Sequence, residues 1–389
     1  MNGVALAGWC RTPIAPRHGA LRHYGPHLLA APLIAHLLQA AHLPAHSVDT
    51  LILGNALGGG GNPARLAALA AGLSQGCTTL TIDTQCCSGL DAINLAATQI
   101  LSGQAEIALA GGAESWSRSP IRQHRPIRPG DPPVPYERPP FTPWPERDPD
   151  PLQAAFAYGL RHHWTRSQQD AYAHDSHRRA VQATPQIAAS LVALGGLDRD
   201  SYPRLLTPRQ QQRIPELITH PSCALSRFAV SPQADGAALV LMLSASACRR
   251  YGLAPSWRWL AGISLGTDPA NPLTGALAAT QTLLRRLDRG TAQLDAMELH
   301  DAFAVQGLAF RQALISQGGP VPPLNAWGGG LARGHPIGAS GAVALVQLLS
   351  RLQATPTQPL TGLACIAAAG GLGTATLVGA AAPSPADPA

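Results

Sequence analysis

Residues 84–90 read Thr84-Gln85-Cys86-Cys87-Ser88-Gly89-Leu90, and they place a thiol where an apolar strand gives way to a helix. Residues 79–84 before it predict a strand. Residues 88–101 after it predict a helix that is apolar nearly all round, with Asp91 its only charge. A helix of that kind sits between layers and not on a surface. At its start, unpaired N–H groups and the positive dipole end favour a thiolate and can hold an oxyanion. An inert buried cysteine fits the same spacing, because free cysteine is among the most buried residue types.

Working outward, residues 48–54 predict a strand, 62–72 a helix and 106–112 (EIALAGG) a further strand ending in Gly111-Gly112. Strands alternating with helices indicate a parallel sheet covered on both faces. From 119 to about 151 the text turns Pro/Arg-rich (RPIRPGDPPVPYERPPFTPWPERDPDP), which excludes sheet and helix there. Its Trp, Tyr and Phe suggest a lid or surface loop. A helix over 168–183 and a strand over 237–243 follow.

The chain then repeats itself in outline. Residues 295–300 read as a strand, 339–352 as a buried helix, and 362–369 (GLACIAAA) as a strand ending in Gly370-Gly371. Two halves of similar design suggest duplication, with a site at their junction. The expected division is 1–118 plus 226–247 for the first half, 119–225 for the lid, and 248–389 for the second half. The tail, 380–389 (AAAPSPADPA), reads as disordered.

A second glycine-rich stretch, Gly334-His335-Pro336-Ile337-Gly338-Ala339-Ser340-Gly341, lies about 250 residues from the first. A cysteine with a distant histidine suggests acyl transfer through a thioester, with His335 as general base. A satisfied turn histidine is the plainer alternative in a chain with 14 histidines. His300 stands at the predicted end of a strand, where open α/β sheets place their sites, although alone it reads as structural.

Composition excludes several classes. At 389 residues, with 46% hydrophobic and 13% charged residues, the chain can bury a large core in two or three domains. Its net charge of +6 is carried by arginine alone, because the chain has no lysine. A lysine Schiff base and a P-loop lysine are therefore excluded. The arginines cluster between 118 and 147; nucleic acid is not the expected partner, while a bound phosphate suits the modest surplus. The seven cysteines are scattered with no CxxC pair, so neither a zinc site nor a disulfide framework is expected. No signal peptide or membrane span is readable, which makes the cytoplasm the expected compartment.

Over nearly its whole length the chain resembles the thiolase family. The matching stretches occur in the family's order: GNALGGGGNPARLAALAAGL (54–73), TQCCSGLDA (84–92), GGAESWSRSP (111–120), ADGAALVLM (234–242), ELHDAFAVQ (298–306), GGGLARGHPIGASGA (328–342) and GLACIAAAGGLG (362–373). The resemblance implies an α/β, five-layered αβαβα fold of two duplicated halves with an inserted loop domain. It implies that Cys86 accepts the acyl group, that His335 activates it, and that Gly371 and Gly373 belong to the oxyanion turn. Ser231 falls where thiolases touch the pantetheine of coenzyme A. An acyl-CoA thioester is then the substrate, with no permanently bound cofactor or metal. A homodimer or homotetramer is implied, and an accessory subunit or carrier protein is an open partner.

Two positions depart from the family. His300 stands where most thiolases have Asn; His-Asp here resembles the HDCF motif of sterol-carrier-linked thiolases. The second cysteine, which removes the α-proton of the incoming acyl-CoA, aligns with Ala367, and the alternative position after His-Asp is Ala302. Cys365 lies two residues upstream of Ala367, about 6–7 Å along a strand. Losing such a base costs roughly 10²–10⁴-fold in enolate formation. Three routes stay open. The chemistry is decarboxylative and uses Cys86, His300 and His335; or the acceptor needs no strong base; or Cys87 or Cys365 serves as base. A non-catalytic subunit of a heteromer is the reading from another class.

Overall fold

The computed structural model describes residues 4–316, 320–355 and 360–381. Nine strands follow one another across a sheet in the order Ala296–Leu299, Thr361–Ala368, Leu372–Ala380, Trp257–Gly266, Val4–Arg11, Ala234–Leu243, Ile107–Glu114, Thr50–Gly54 and Thr78–Ile82. A two-residue strand, Ala15–Pro16, pairs beside Ala234–Leu243. The predicted purely parallel sheet is corrected here. Thr50–Gly54 runs parallel to both its neighbours, as do Ala296–Leu299 and Thr361–Ala368 to each other. The remaining pairs on this path are antiparallel. One cause is local: Gly370 and Gly371, at φ +78° and +77°, turn the chain back on itself, a geometry that glycine adopts without strain.

Alternation along the strands sorts side chains into layers. Leu51 and Leu53 join one core and Ile52 another; Leu363 and Cys365 join a third, while Ala364 and Ile366 face the same core as Ile52. The outer helices Pro26–Ala40 and Pro63–Ala70 cover the first half's strands. Gly275–Arg286 and Ala304–Ser316 cover the second half's. Between the halves lie Ser88–Leu101 and Ser340–Gln353, buried on nearly every side. The fold is therefore α/β and five-layered, αβαβα. Each fully buried Leu or Ile in these layers contributes roughly 1.5–3 kcal/mol, so central helices without a solvent face are the stable arrangement. No described helix is long and apolar enough to cross a membrane.

Small residues bring the two central helices together at their N-terminal ends. A Cβ on Gly89 would meet Gly338 O at 2.7 Å, and one on Gly341 would meet Leu90 Cβ at 2.8 Å. The strand 107–114 does not end at Gly111-Gly112 as predicted but runs on to Glu114. Gly112 is needed there because a Cβ would lie 2.1 Å from Gly338 O. The strand thus supports the 334–341 turn directly.

The Pro/Arg-rich stretch also differs from expectation. Arg122–His124 and Val134–Tyr136 form a small antiparallel hairpin. Most of its prolines lie in the connection, and Pro135 is tolerated because in a two-stranded ribbon both strands are edges. The helices Pro151–Arg161 and Arg166–Gln182 follow. Of the expected tail, Ala380 closes the last strand and Ala381 donates its N–H to Ser256 O; residues 382–389 lie outside the described residues.

Candidate active site

Cys86 is delivered by a strained turn. Gln85 adopts φ +56°, uncommon for a residue with a Cβ. The Ser88 hydroxyl holds this turn by accepting from Thr84 N at 2.9 Å and donating to Gln85 O at 2.6 Å. Asp91, one turn into the helix, accepts from Thr84 Oγ1 at 2.5 Å and Thr374 Oγ1 at 2.6 Å, and also from the Ser264 hydroxyl. The nucleophile loop is thereby tied to two strands of the second half.

His335 arrives from the turn that precedes the other central helix. Its backbone N–H donates to Pro232 O at 2.7 Å, and its carbonyl accepts from Trp116 Nε1 at 3.0 Å. Cys86 Sγ lies 3.2 Å from His335 Nε2, and Ser340 Oγ lies 2.7 Å from His335 Nδ1. Because the Ser340 hydroxyl donates to Pro336 O at 3.1 Å, it accepts from Nδ1–H. That assigns the tautomer and leaves the Nε2 lone pair facing the thiol. Ser340→Ala is expected to slow acylation of Cys86 about tenfold with KM unchanged, the worth of one hydrogen bond. Single-turnover and steady-state kinetics together check that split.

The expected thiolate is corrected. Burial pushes the Cys86 thiol up to about 12, and the amides of Ala369 and Cys86 itself pull it down by less. Burial also holds His335 down at about 4, so at neutral pH the pair is thiol and neutral imidazole. His300 packs its ring 4.4 Å from that of His335. Burial, followed by the neighbouring His335, keeps it well below the usual range. Its Nε2 is buried without a hydrogen-bond partner among the described residues. Its backbone N–H donates to Cys365 O at 3.0 Å.

The other sequence candidates are placed as follows. Gly371 forms the tight turn, its carbonyl accepting from Thr267 N at 2.6 Å. Gly373 packs on Gly275, with a Cβ there only 2.0 Å from Gly275 O. The backbone groups that lower the Cys86 thiol against burial are those of Ala369 and Cys86 itself. Ser231 is buried and donates to Gly330 O at 2.7 Å, with its own N–H on Ala302 O at 2.8 Å. Ala302 N donates to Gln306 Oε1 at 3.2 Å, and Ala367 pairs with Gly373.

Both substitute thiols are closed off. Cys365 is fully buried in the outer core, on the same strand face as Ala367 but two residues back along the strand. Cys87 is fully buried, with its thiol 3.7 Å from Ile366 O. Burial pushes Cys365 up to about 12 and Cys87 well above the usual thiol range.

Glu114, quoted in the sequence without a role, links the halves beneath the site. It accepts from Asn55 Nδ2 at 2.7 Å, Ala56 N at 2.8 Å and Gly338 N at 2.9 Å. Burial raises it to about 7 despite these donors. A carboxyl raised above its unfolded value stabilises most when protonated, so its contribution declines as pH rises from about 4.5 to about 7. Glu114→Gln turns an amide NH₂ toward those donors. It is expected to lower Tm by the equivalent of about 1–3 kcal/mol and to flatten that slope. Thermal melts between pH 5 and 8 test it.

Known proteins resemble the chain over nearly its whole length. Residues 4–138 match the thiolase N-terminal domain and residues 255–380 the thiolase C-terminal domain. A Bacillus subtilis (strain 168) protein named "Putative acetyl-CoA C-acetyltransferase YhfS" is 35% identical over 381 residues, covering 97% of this chain and 99% of that one. The like-named VraB of Staphylococcus aureus (strain COL) is 32% identical over 393 residues, with 97% and 99% covered. Among solved structures, the Bacillus anthracis acetyl-CoA acetyltransferase superposes with a TM-score of 0.86 at 29% identity, covering 98% and 99%. The Acat5 thiolase from Ascaris suum in complex with coenzyme A gives 0.86 at 27% identity, covering 97% and 100%. With the two family domains accounting for most of its length and its cysteine and histidine meeting at their junction, this chain belongs to the thiolase family.

Proposed function

We propose that this chain is an acyl-CoA C-acyltransferase that carries the acyl group on Cys86. The observation that carries the reading is the 3.2 Å approach of Cys86 Sγ to a neutral His335 Nε2. In acylation the thiol proton passes to Nε2 as sulfur attacks the thioester carbonyl. Coenzyme A leaves as its thiolate and takes that proton back, so imidazole and charge are restored. The amides of Ala369 and Cys86 suit the oxyanion of that step, and the free Nε2 of His300 suits the oxygen of the second thioester. By resemblance to the family, Ser231 is the residue that would meet the pantetheine of coenzyme A, the ligand named for the Ascaris suum thiolase. The chain divides by this reading into halves 1–118 plus 226–247 and 248–389, with 119–225 as the lid.

A decarboxylative second step is favoured by one observation: Ala302 and Ala367 offer no thiol, and Cys87 and Cys365 are closed off. Loss of CO₂ from a malonyl thioester leaves the carbanion without any base. The acyl-enzyme, given acetyl-CoA or malonyl-CoA separately, is expected to yield C–C product with malonyl-CoA at least about 10²-fold faster. Equal rates would sink the decarboxylative reading. A subunit serving only as a scaffold would form no adduct on Cys86 with any acyl-CoA.

A homodimer is proposed through the edge strand Thr78–Ile82 and the exposed Leu66, Leu69 and Leu80 beside it. Unpaired edges with apolar neighbours invite strand addition. Leu69→Glu is expected to shift the molecular mass in light scattering toward the monomer.

A further inference from the structure

We propose that Tyr172 and Asp301 are positioning residues for His300, so that a helix of the inserted 119–225 stretch aims the histidine that meets the second thioester. The inference rests on the acyltransferase reading above and adds two residues to its second step.

Nothing described bonds the His300 Nε2, so its ring is aimed by its backbone and by what packs on it. The backbone is pinned on both sides. Before it, Leu299 N donates to Asn325 Oδ1 at 2.8 Å and Leu299 O accepts from Asn325 Nδ2 at 2.9 Å. After it, the Asp301 carboxylate accepts from Tyr172 Oη at 3.0 Å, Asn325 Nδ2 at 3.2 Å and Leu331 N at 3.3 Å. The last of these bonds also places the wall of the ring. A Cβ on Gly330 would meet His300 Cε1 at 2.6 Å and Nδ1 at 2.7 Å. Asp301 therefore ties the peptide that carries His300 to the turn its imidazole rests on. A site held to a fraction of an ångström needs such support, because small displacements of a reacting group are costly.

Tyr172 brings the inserted stretch into this set. It stands on the helix Arg166–Gln182, and one turn further on Ser176 Oγ accepts from Gly329 N at 2.9 Å. A Cβ on Gly307 would fall on the Tyr172 hydroxyl, so the glycine clears its seat. Burial, and then the Asp301 charge, push the Tyr172 hydroxyl well above its usual range, so it stays a donor. Phenylalanine would fill the same space. The hydroxyl's single hydrogen-bond partner among the described residues is Asp301.

The arrangement depends on the charge of Asp301. Burial raises this carboxyl to about 6, against the pull of Tyr172 and then of the Leu331 amide. The other charged or titratable groups facing it are Asp175 and Arg179 from the Tyr172 helix, Arg311 from Ala304–Ser316, Arg333 across the turn, and His300 beside it. A cavity of about 520 Å³ borders Tyr172, Asp301 and the exposed Arg311 and Ile315, which gives the acid a route to solvent protons. Ionised, Asp301 accepts from every donor aimed at it; protonated, one of its oxygens becomes a donor among donors. The second step should therefore fall as pH drops through about 6, while acylation stays level to about 4.

The test separates the two half-reactions in the full chain. Acylation of Cys86 by acetyl-CoA is followed by intact mass. Transfer from the acyl-enzyme is followed as C–C product, with whichever of acetyl-CoA and malonyl-CoA yields it. Tyr172→Phe is expected to slow transfer about tenfold at unchanged KM, the worth of one hydrogen bond, with a several-fold smaller loss in acylation. Its pH inflection should move upward, because a donor that lowers Asp301 is gone, and Asp301→Asn should show no such inflection. In a His300→Ala background, Tyr172→Phe should add less than about twofold. An undiminished effect in that background overturns the proposal, since Tyr172 would then act elsewhere. So do equal losses in both steps, a rise in KM alone, or parent transfer that stays level below pH 6. Each of these outcomes leaves the acyltransferase reading standing as long as the parent forms its adduct on Cys86. A parent that forms no adduct overturns both.

Discussion

Incubated with acetyl-CoA, the protein is expected to gain the mass of one acyl group on Cys86, and Cys86→Ala to gain none. Turnover of Cys86→Ala should fall by roughly 10⁴-fold or more, because no other described thiol can replace it as nucleophile. Cys87 is buried with its thiol on a backbone carbonyl, and Cys365 is fully buried in the outer core. Cys86→Ser is an instructive companion. The alcohol keeps the size of the thiol but is a far weaker nucleophile, so it should fold normally and acylate at a trace rate. An adduct on Cys86→Ala would move the nucleophile elsewhere and overturn the reading of the site.

His335→Ala is the second large effect, with acylation slowed by about 10²–10⁴-fold. The reason is the protonation state of the pair. With the thiol pushed up to about 12 and the imidazole held at about 4, almost no thiolate exists at neutral pH. The proton must therefore move as sulfur attacks, and removing its acceptor removes that path. The same two values set the pH profile. A group whose folded pKa is depressed keeps its neutral form until pH falls through that lower value. Acylation should thus stay nearly level from pH 5 to 8 and fall only as pH drops through about 4. An unpaired histidine would give a fall near 6.5. A rapid-quench profile with an inflection near 6.5 would show that His335 is solvated in the working enzyme. His335→Ala should lose the inflection near 4 as well as the rate.

Most of the local structure was legible. The helix 88–101 is found at those bounds, because its start after a polar turn and its apolar circumference leave one solution. The strand over 362–369 is also found, one residue displaced at each end. Strand direction was less legible, since alternation fixes which face a residue takes but not which way its neighbour runs. Gly111-Gly112 shows the limit clearly. In the sequence the pair reads as a strand end; in the fold Gly111 makes room for Ala238 of the next strand and Gly112 for Gly338. The hairpin at 122–136 was hidden by its prolines, which sit where no ladder hydrogen bond is needed.

The sequence by itself determined the family, the layered α/β architecture, the pairing of Cys86 with His335 and the alanines at 302 and 367. These rest on residue type and order, which folding cannot alter. Only the tertiary structure decided the charge state of the pair, the hydrogen bonds of Ser340 and Glu114, and the burial of Cys365 in the outer core. Each of those depends on burial and on which face of a strand or helix meets another. Small residues at 89, 338 and 341 set that meeting by letting two helices from opposite halves nearly touch. A dipole that favours a thiolate in water loses to desolvation once both halves close over the sulfur.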